Sequence, residues 1–185
     1  MNKKYSVILA DPPWTFKVWK ENVGKNGRTA SKYYSTMTTE DICKFQIPSA
    51  DNCALFLWAV WPLLPDALQV IRSWGFEYKT IAWVWTKLQP IGMGFHMGLG
   101  YYTRANTEPC LLAVRGKMPV AVHDVMALIC SPIREHSRKP NEQYDKIKRL
   151  YPQGSYLEMF ARYTHPNWDV WGNQVESNIS IPMEE

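Results

Sequence analysis

The 185-residue chain predicts an α/β domain: a mostly parallel sheet covered by helices on both faces. Three observations carry this. Apolar runs of strand length alternate with segments of helical period. The runs are apolar throughout rather than alternating, as strands buried on both sides are. The first run stops abruptly at Asp11-Pro12-Pro13-Trp14, and open sheets of this class bind ligands beyond the carboxyl ends of their strands.

Tyr5 to Ala10 reads as the first buried strand, ended by Pro12 and Pro13, which cannot donate ladder hydrogen bonds. The segment "TTEDICKF" opens a helix: Thr38 caps it, Asp41 stands three residues on, and Ile42 and Phe45 supply the apolar positions. Residues 53–60 form a second buried strand, and a helix from about Leu63 to Trp74 follows, stopped by Gly75. Strands are predicted at 78–85 and 109–116; Trp83 and Trp85 alternate on the former, which assigns both to the core. Residues 140–151 read as helical, with Pro140 in the first turn and Tyr144, Ile147 and Tyr151 on one apolar face. Two more strands are predicted at 155–162 and 167–173. The loops 15–35 and 88–106 are long for a compact domain and rich in glycine, which marks them as functional or mobile.

The length fits one domain over residues 1–185, with the acidic tail from about 176 to 185 expected to be flexible. Hydrophobic residues make up 46% and charged ones 21%, which excludes a disordered or fibrous chain. Four cysteines form no close pair and four histidines match no metal spacing, so neither a disulfide framework nor a metal site is expected, and a reducing cytoplasm is the natural setting. The longest apolar run, Ala54 to Pro65, is about half of a membrane span and contains Pro62, which argues against a membrane protein. The net charge of +4 is unevenly placed. Lys17, Lys20, Lys25, Arg28 and Lys32 face only Glu21 in the first long loop, and Arg134, Arg138, Lys139 and Arg149 make a second basic stretch. Such patches favour a polyanionic partner, although solvated lysines are the commoner case.

An acid, two prolines and an indole at a strand end can be a plain turn. They also suit a planar substrate with an exocyclic amine. The amine of adenine is a poor nucleophile because its lone pair is delocalised into the ring. Acceptors for both of its N–H groups leave that lone pair free to meet an electrophile. Asp11 supplies one acceptor, a carbonyl of the rigid prolyl turn the other, and Trp14 a stacking face. A sulfonium methyl held in line is the natural electrophile, with positioning as the main catalytic contribution.

With this motif the chain resembles the METTL-type adenine-N6 methyltransferases, the MT-A family, whose signature is "DPPW". The resemblance runs through "YSTM" (34–37), "LFLW" (55–58), "EPCLLAVRG" (108–116), "HSRKP" (136–140), "EMFAR" (158–162), "PNW" (166–168) and "GNQ" (172–174). It implies a Rossmann-like class I methyltransferase fold and S-adenosylmethionine as cofactor, with S-adenosylhomocysteine as product. Asp11, Pro12, Pro13 and Trp14 would be the catalytic loop, with Asp11 also beside the cofactor, and Tyr34 a gate over the base. Glu108 would lie near the target pocket. Lys139 would pair with the cofactor carboxylate, Arg162 would meet the ribose or the glutamate beside it, and Asn173 and Gln174 would bond the ribose and adenine end. Beside the catalytic turn, Lys17, Lys20, Lys25, Arg28 and Lys32 become a nucleic-acid clamp.

The resemblance implies a nucleic-acid partner, DNA first on the compact form of the chain and RNA as the alternative. A homodimer or a heteromeric partner is compatible with it. A non-catalytic binding subunit is the third reading, weakened because the acid and Trp14 are intact. The chain departs from the family where Phe-Gly-Arg becomes Phe160-Ala161-Arg162 and where the loop from Arg162 to Pro166 is two residues shorter, leaving Thr164 or His165 to replace a ribose-contacting asparagine. The family's upstream Asp-Ile pair, which holds the cofactor adenine in some members, has no counterpart ahead of the first strand.

Overall fold

A computed structural model describes residues 3–15, 36–98, 100, 102–135 and 137–184. Its strands are β1 (Tyr5–Ala10), β2 (Ser49–Trp58), β3 (Glu77–Leu88), β4 (Thr107–Arg115), β5 (Leu128–Pro132), β6 (Tyr156–Met159) and β7 (Trp168–Trp171). The helices are α1 (Thr39–Cys43), α2 (Leu64–Ser73) and α3 (Glu142–Leu150). The strands form one sheet in the order β5-β3-β4-β2-β1-β6-β7.

Pairing is parallel along β2-β1-β6-β7 and between β3 and β5, whereas β4 runs antiparallel to both β2 and β3. The expectation of a mostly parallel sheet therefore holds, with one reversed strand that matters for the site. Because β4 is reversed, its first residues reach the edge where its neighbours end: Cys110 pairs with Trp58, and Glu108 with Trp85.

Both faces are covered, as the uniformly apolar runs require. Ile8 and Ala10 of β1 join Ala67, Val70 and Ile71 of α2 in one core cluster. Val7 and Leu9 join Phe56, Trp83, Trp85 and Ile147 of α3 in the other. A fully buried side chain such as Leu55 or Ile147 contributes roughly 1.5–3 kcal/mol to each layer. Thr38 caps α1 as predicted, its hydroxyl accepting from the Asp41 N–H at 3.1 Å. Helix α2 ends at Gly75, whose φ of 76° favours glycine, and the Arg115 guanidinium closes over that end by donating to Gly75 O and Trp74 O, both at 3.1 Å. A Cβ on Gly75 would stand 2.1 Å from the Arg115 guanidinium, so Gly75→Ala would displace this clamp as well as strain the turn.

Strand β5 does not stand out in the sequence because it is short and contains Ser131 and Pro132. Proline is tolerated because the strand lies at the sheet edge. The acidic tail is also unlike its expectation. Ile181 is buried in the core, Gln46 N–H donates to Pro182 O at 2.9 Å, and Glu184 N–H donates to Lys44 O at 2.8 Å. Ile179 and Ile181 supply enough apolar contact to dock the segment despite its charged end. No helix among the described residues is long and apolar enough to cross a membrane.

Candidate active site

Asp11 leaves the end of β1, between β2 and β6, where the sheet opens. The two prolines after it fix a narrow turn. Trp14 N–H donates to Pro12 O at 2.9 Å, and Met37 N–H donates to Pro13 O at 2.8 Å. Each carbonyl keeps a second lone pair, and both prolines line a cavity of about 260 Å³ together with Asp11, Arg162, Asn173 and Gln174. A second cavity of about 210 Å³ is lined by Asp11, Lys139, Tyr144, Glu158 and His165, among others. The two share Asp11, Ser137, Phe160 and Arg162, and so make one trough in the size range of small-molecule sites.

Lys139, in the loop before α3, lines the smaller of the two cavities. Its ammonium donates to both Asp11 carboxylate oxygens, at 2.9 and 2.8 Å, and lies 3.3 Å from Glu108 Oε2. It also stands 5.3 Å from the ring centroid of Trp58. The other Glu108 oxygen accepts from Lys87, at the end of β3. Four alternating charges therefore run along the sheet edge in the order Lys87, Glu108, Lys139, Asp11.

Burial and charge act unequally along that row. Burial raises the Asp11 carboxyl above its ordinary range, and Lys139 only partly offsets it. Burial also raises Glu108, but the ammoniums of Lys139 and Lys87 together pull it down to about 2. Burial alone would lower Lys139; the two carboxylates more than reverse this and hold it charged. Across the trough, Glu158 accepts from the Tyr144 hydroxyl at 2.9 Å, and burial pushes its carboxyl up to about 7. Groups with such divided affinities for protons gather at functional sites.

Trp14 departs from its expected place. It is 7% exposed, belongs to the core and lines neither cavity, so in this structure it is no open stacking platform. Its indole N–H donates to Trp58 O at 3.0 Å, while the Trp58 indole donates to Gln143 Oε1 at 2.7 Å. Trp14 thus ties down the backbone at Trp58, whose ring stands by Lys139.

The substitution of Ala161 for the family's glycine is accommodated. The left-handed backbone falls on Phe160 (φ 61°), held by edge contacts with Phe45 and Trp171, while Ala161 is buried. Close approach of the chains is provided from the other side, since a Cβ on Gly172 would lie 2.1 Å from Ala161 O. Ser137, also left-handed, lines both cavities. Arg162 donates to the Gln174 amide at 2.8 Å, and Thr164 and His165 both face the smaller cavity. Tyr34 and the basic residues Lys17, Lys20, Lys25, Arg28 and Lys32 lie outside the described residues.

A family model for MT-A70 matches residues 5–174. The chain belongs to the MT-A70 family. That places the seven-stranded sheet among the Rossmann-like adenine-N6 methyltransferase folds. Among curated relatives, the Type II methyltransferase M.MunI of Mycoplasma sp is 34% identical over 200 residues, covering 98% of this chain and 83% of that protein. A putative N(6)-adenosine-methyltransferase MT-A70-like protein of Medicago truncatula is 30% identical, over 93% of this chain and 26% of its own length. The N(6)-adenosine-methyltransferase catalytic subunit METTL3 of Homo sapiens is 28% identical, over 94% and 28% respectively. The chain spans about a quarter of these plant and human relatives.

Two residues of this MT-A70 site escape the sequence reading. Lys87 has a signal, because it lies at the carboxyl end of a strand, on the edge that Asp11 marks, but its partner Glu108 reaches that edge only because β4 is reversed. Glu158 stands in the "EMFAR" segment, where its place between apolar neighbours on a strand suggests an inward-facing acid.

Proposed function

We propose that the protein transfers a methyl group from S-adenosylmethionine to the N6 amine of adenine in nucleic acid, with DNA as the first substrate and RNA as the alternative. The observation that carries this reading is the placement of Asp11, followed by the rigid prolyl turn, at the junction of two joined cavities. The chain fits the cofactor chemically: Lys139 is a buried cation suited to its carboxylate, Asp11 and Glu158 are acceptors, and Arg162, Asn173 and Gln174 present polar groups along the trough. DNA is favoured because the chain covers most of a Type II methyltransferase but only about a quarter of the N(6)-adenosine-methyltransferases.

When bound, the cofactor supplies an electrophilic sulfonium methyl. The protein's own contribution is to orient the amine and relieve its N–H groups. Asp11 accepts one N–H and a free lone pair of a prolyl carbonyl accepts the other, so that the nitrogen lone pair points at the methyl carbon. As the new C–N bond formed, the methyl–sulfur bond would break to leave S-adenosylhomocysteine, and the nitrogen would give up a proton that the Asp11 carboxylate could accept. Both Asp11 oxygens are held by Lys139 in this structure, so Lys139 must first turn to the cofactor carboxylate. Adenine then meets a free acid only after the cofactor is in place.

The test is incubation with methyl-labelled cofactor and DNA or RNA oligonucleotides, followed by nucleoside mass spectrometry. Labelled N6-methyldeoxyadenosine is expected. Label in RNA alone would move the protein to the alternative, and no methylated adenine in either would end the proposal.

A further inference from the structure

Lys87 has no part in the chemistry above, yet its position is tightly fixed. Its backbone N–H donates to Asn106 O and its carbonyl accepts from the His96 N–H, both at 2.8 Å. Its ammonium lies 5.1 Å from the ring centroid of Trp85 and ends on Glu108. The Lys87 and Glu108 side chains are each 19% exposed, so water does little to screen the pair. Glu108 gives one oxygen to Lys87 and the other to Lys139. Lys139 in turn lies closer to Asp11 than to Glu108, at 2.8 against 3.3 Å.

We infer that Lys87 is a positioning residue for cofactor binding: by neutralising Glu108 it keeps the Lys139 ammonium on the Asp11 side of the row, available to an incoming carboxylate. The inference rests on the proposed cofactor reading. Without Lys87, Glu108 would carry a full charge with Lys139 as its only close cation among the described residues. Lys139 would be drawn toward Glu108 and away from the trough. A cofactor carboxylate would then compete with Glu108 for the same ammonium and feel its repulsion as well. Buried charges arranged in a row behave as one network, so the effect of Lys87 should pass through Glu108 and disappear when Glu108 is made neutral.

The experiment is calorimetric titration of the full chain with S-adenosylhomocysteine, which retains the carboxylate, with thermal unfolding as the control for folding. Lys87→Met should weaken binding roughly tenfold, as expected for misplacing one charge-assisted contact. Lys87→Arg should restore it to within about threefold, since a guanidinium also neutralises Glu108. In a Glu108→Gln background, Lys87→Met should change the affinity by less than about twofold. That last pair carries no uncompensated carboxylate at position 108, and so tests the inference even if Lys87→Met alone fails to fold. Unchanged affinity in folded Lys87→Met, or an equal loss with and without Glu108, would overturn the role of Lys87. Failure of the wild-type chain to bind S-adenosylhomocysteine at all would instead overturn the cofactor reading beneath it.

Discussion

Strand β1 carries an aspartate–lysine pair at each end. At its N-terminal end, Lys3 and the Tyr5 hydroxyl both donate to Asp169 of β7. At its C-terminal end, Lys139 donates to Asp11. The partners are of the same kind, but the surroundings differ. Lys3 is 59% exposed and neither cavity reaches it, whereas Lys139 is 10% exposed and lies on the trough. The carboxyls respond in opposite directions. The two carboxylates are similarly exposed, at 24% and 26%, and burial is the largest single influence on each; at Asp169 Lys3 and Tyr5 together outweigh it and hold the carboxyl below its ordinary range, whereas at Asp11 Lys139 does not. An exposed pair ties two strands together at little electrostatic cost. A buried one is a poor way to stabilise a fold, because apolar packing does as well, and its retention beside a cavity points to chemistry.

The sharpest way to break this distinction is to remove each acid in turn. Asp11→Ala should reduce methyl transfer by about a hundredfold or more, the scale of losing a key acceptor. Binding of S-adenosylhomocysteine should change far less, because Lys139 remains braced by Glu108. Single-turnover measurements with labelled cofactor read the first quantity and calorimetry the second. Near-normal transfer would leave Asp11 no more catalytic than Asp169.

Lys139→Ala comes next in size. Losing an ammonium–carboxylate contact in a partly dry pocket costs roughly 1.5–3 kcal/mol, or about a ten- to hundredfold loss of S-adenosylhomocysteine affinity. Glu108 keeps Lys87, so the fold should survive. Unchanged affinity would mean that Lys139 serves Asp11 and Glu108 alone.

Much of the contrast between the two ends of β1 can be read from the sequence, and the part that cannot has a physical cause. The prolines after Asp11 announce that the strand stops and that an acid sits at its end. Ile147 and Tyr151 lie on the face of α3 that their spacing predicts, and Trp83 and Trp85 are buried as their alternation requires. Strand direction is not encoded in any local pattern, so the reversal of β4, which brings Glu108 to the active edge beside Lys87 of β3, is a tertiary fact. Trp14 was legible as important but not in its role, because an indole near an acid can stack on a ligand or fill the core with equal local propensity. The packed tail has the same origin: two isoleucines outweigh a charged end only when a groove exists to receive them.

A smaller effect sharpens the comparison through pH. The Glu158 carboxyl titrates near 7 in the folded protein, above the roughly 4.3 of an unfolded chain. The folded state therefore holds that proton more tightly. The associated stability is fully present below about pH 4 and is lost as pH rises through 7. Glu158→Gln keeps an acceptor for the Tyr144 hydroxyl but cannot ionise. Relative to wild type it should gain about 1–3 kcal/mol between pH 5 and 8.5, most of it below pH 7, between the unfolded and folded values, with a plateau above. Urea unfolding across the interval measures the difference, and parallel stability curves for the two proteins would contradict the elevated carboxyl.

The smallest effect belongs to the exposed end. Asp169→Asn preserves an oxygen that can accept from Tyr5 but removes the charge that Lys3 meets. For a pair with one partner mostly in water, the expected loss of stability at pH 7 is about 0.5–1 kcal/mol. Because the folded Asp169 carboxyl lies below its unfolded value of roughly 3.9, its contribution is present above that pH and is lost as pH falls through the folded value. The two proteins should therefore converge in stability in strong acid and differ at neutrality, the reverse of the Glu158→Gln comparison. Methyl transfer and S-adenosylhomocysteine affinity should stay at the wild-type level, since the substitution lies at the far end of β1 from both cavities. If Asp169→Asn instead weakened the cofactor as strongly as Lys139→Ala, burial and a neighbouring cavity would not be what separates a working ion pair from a structural one, and the charge row at the other end of the strand would need a different explanation.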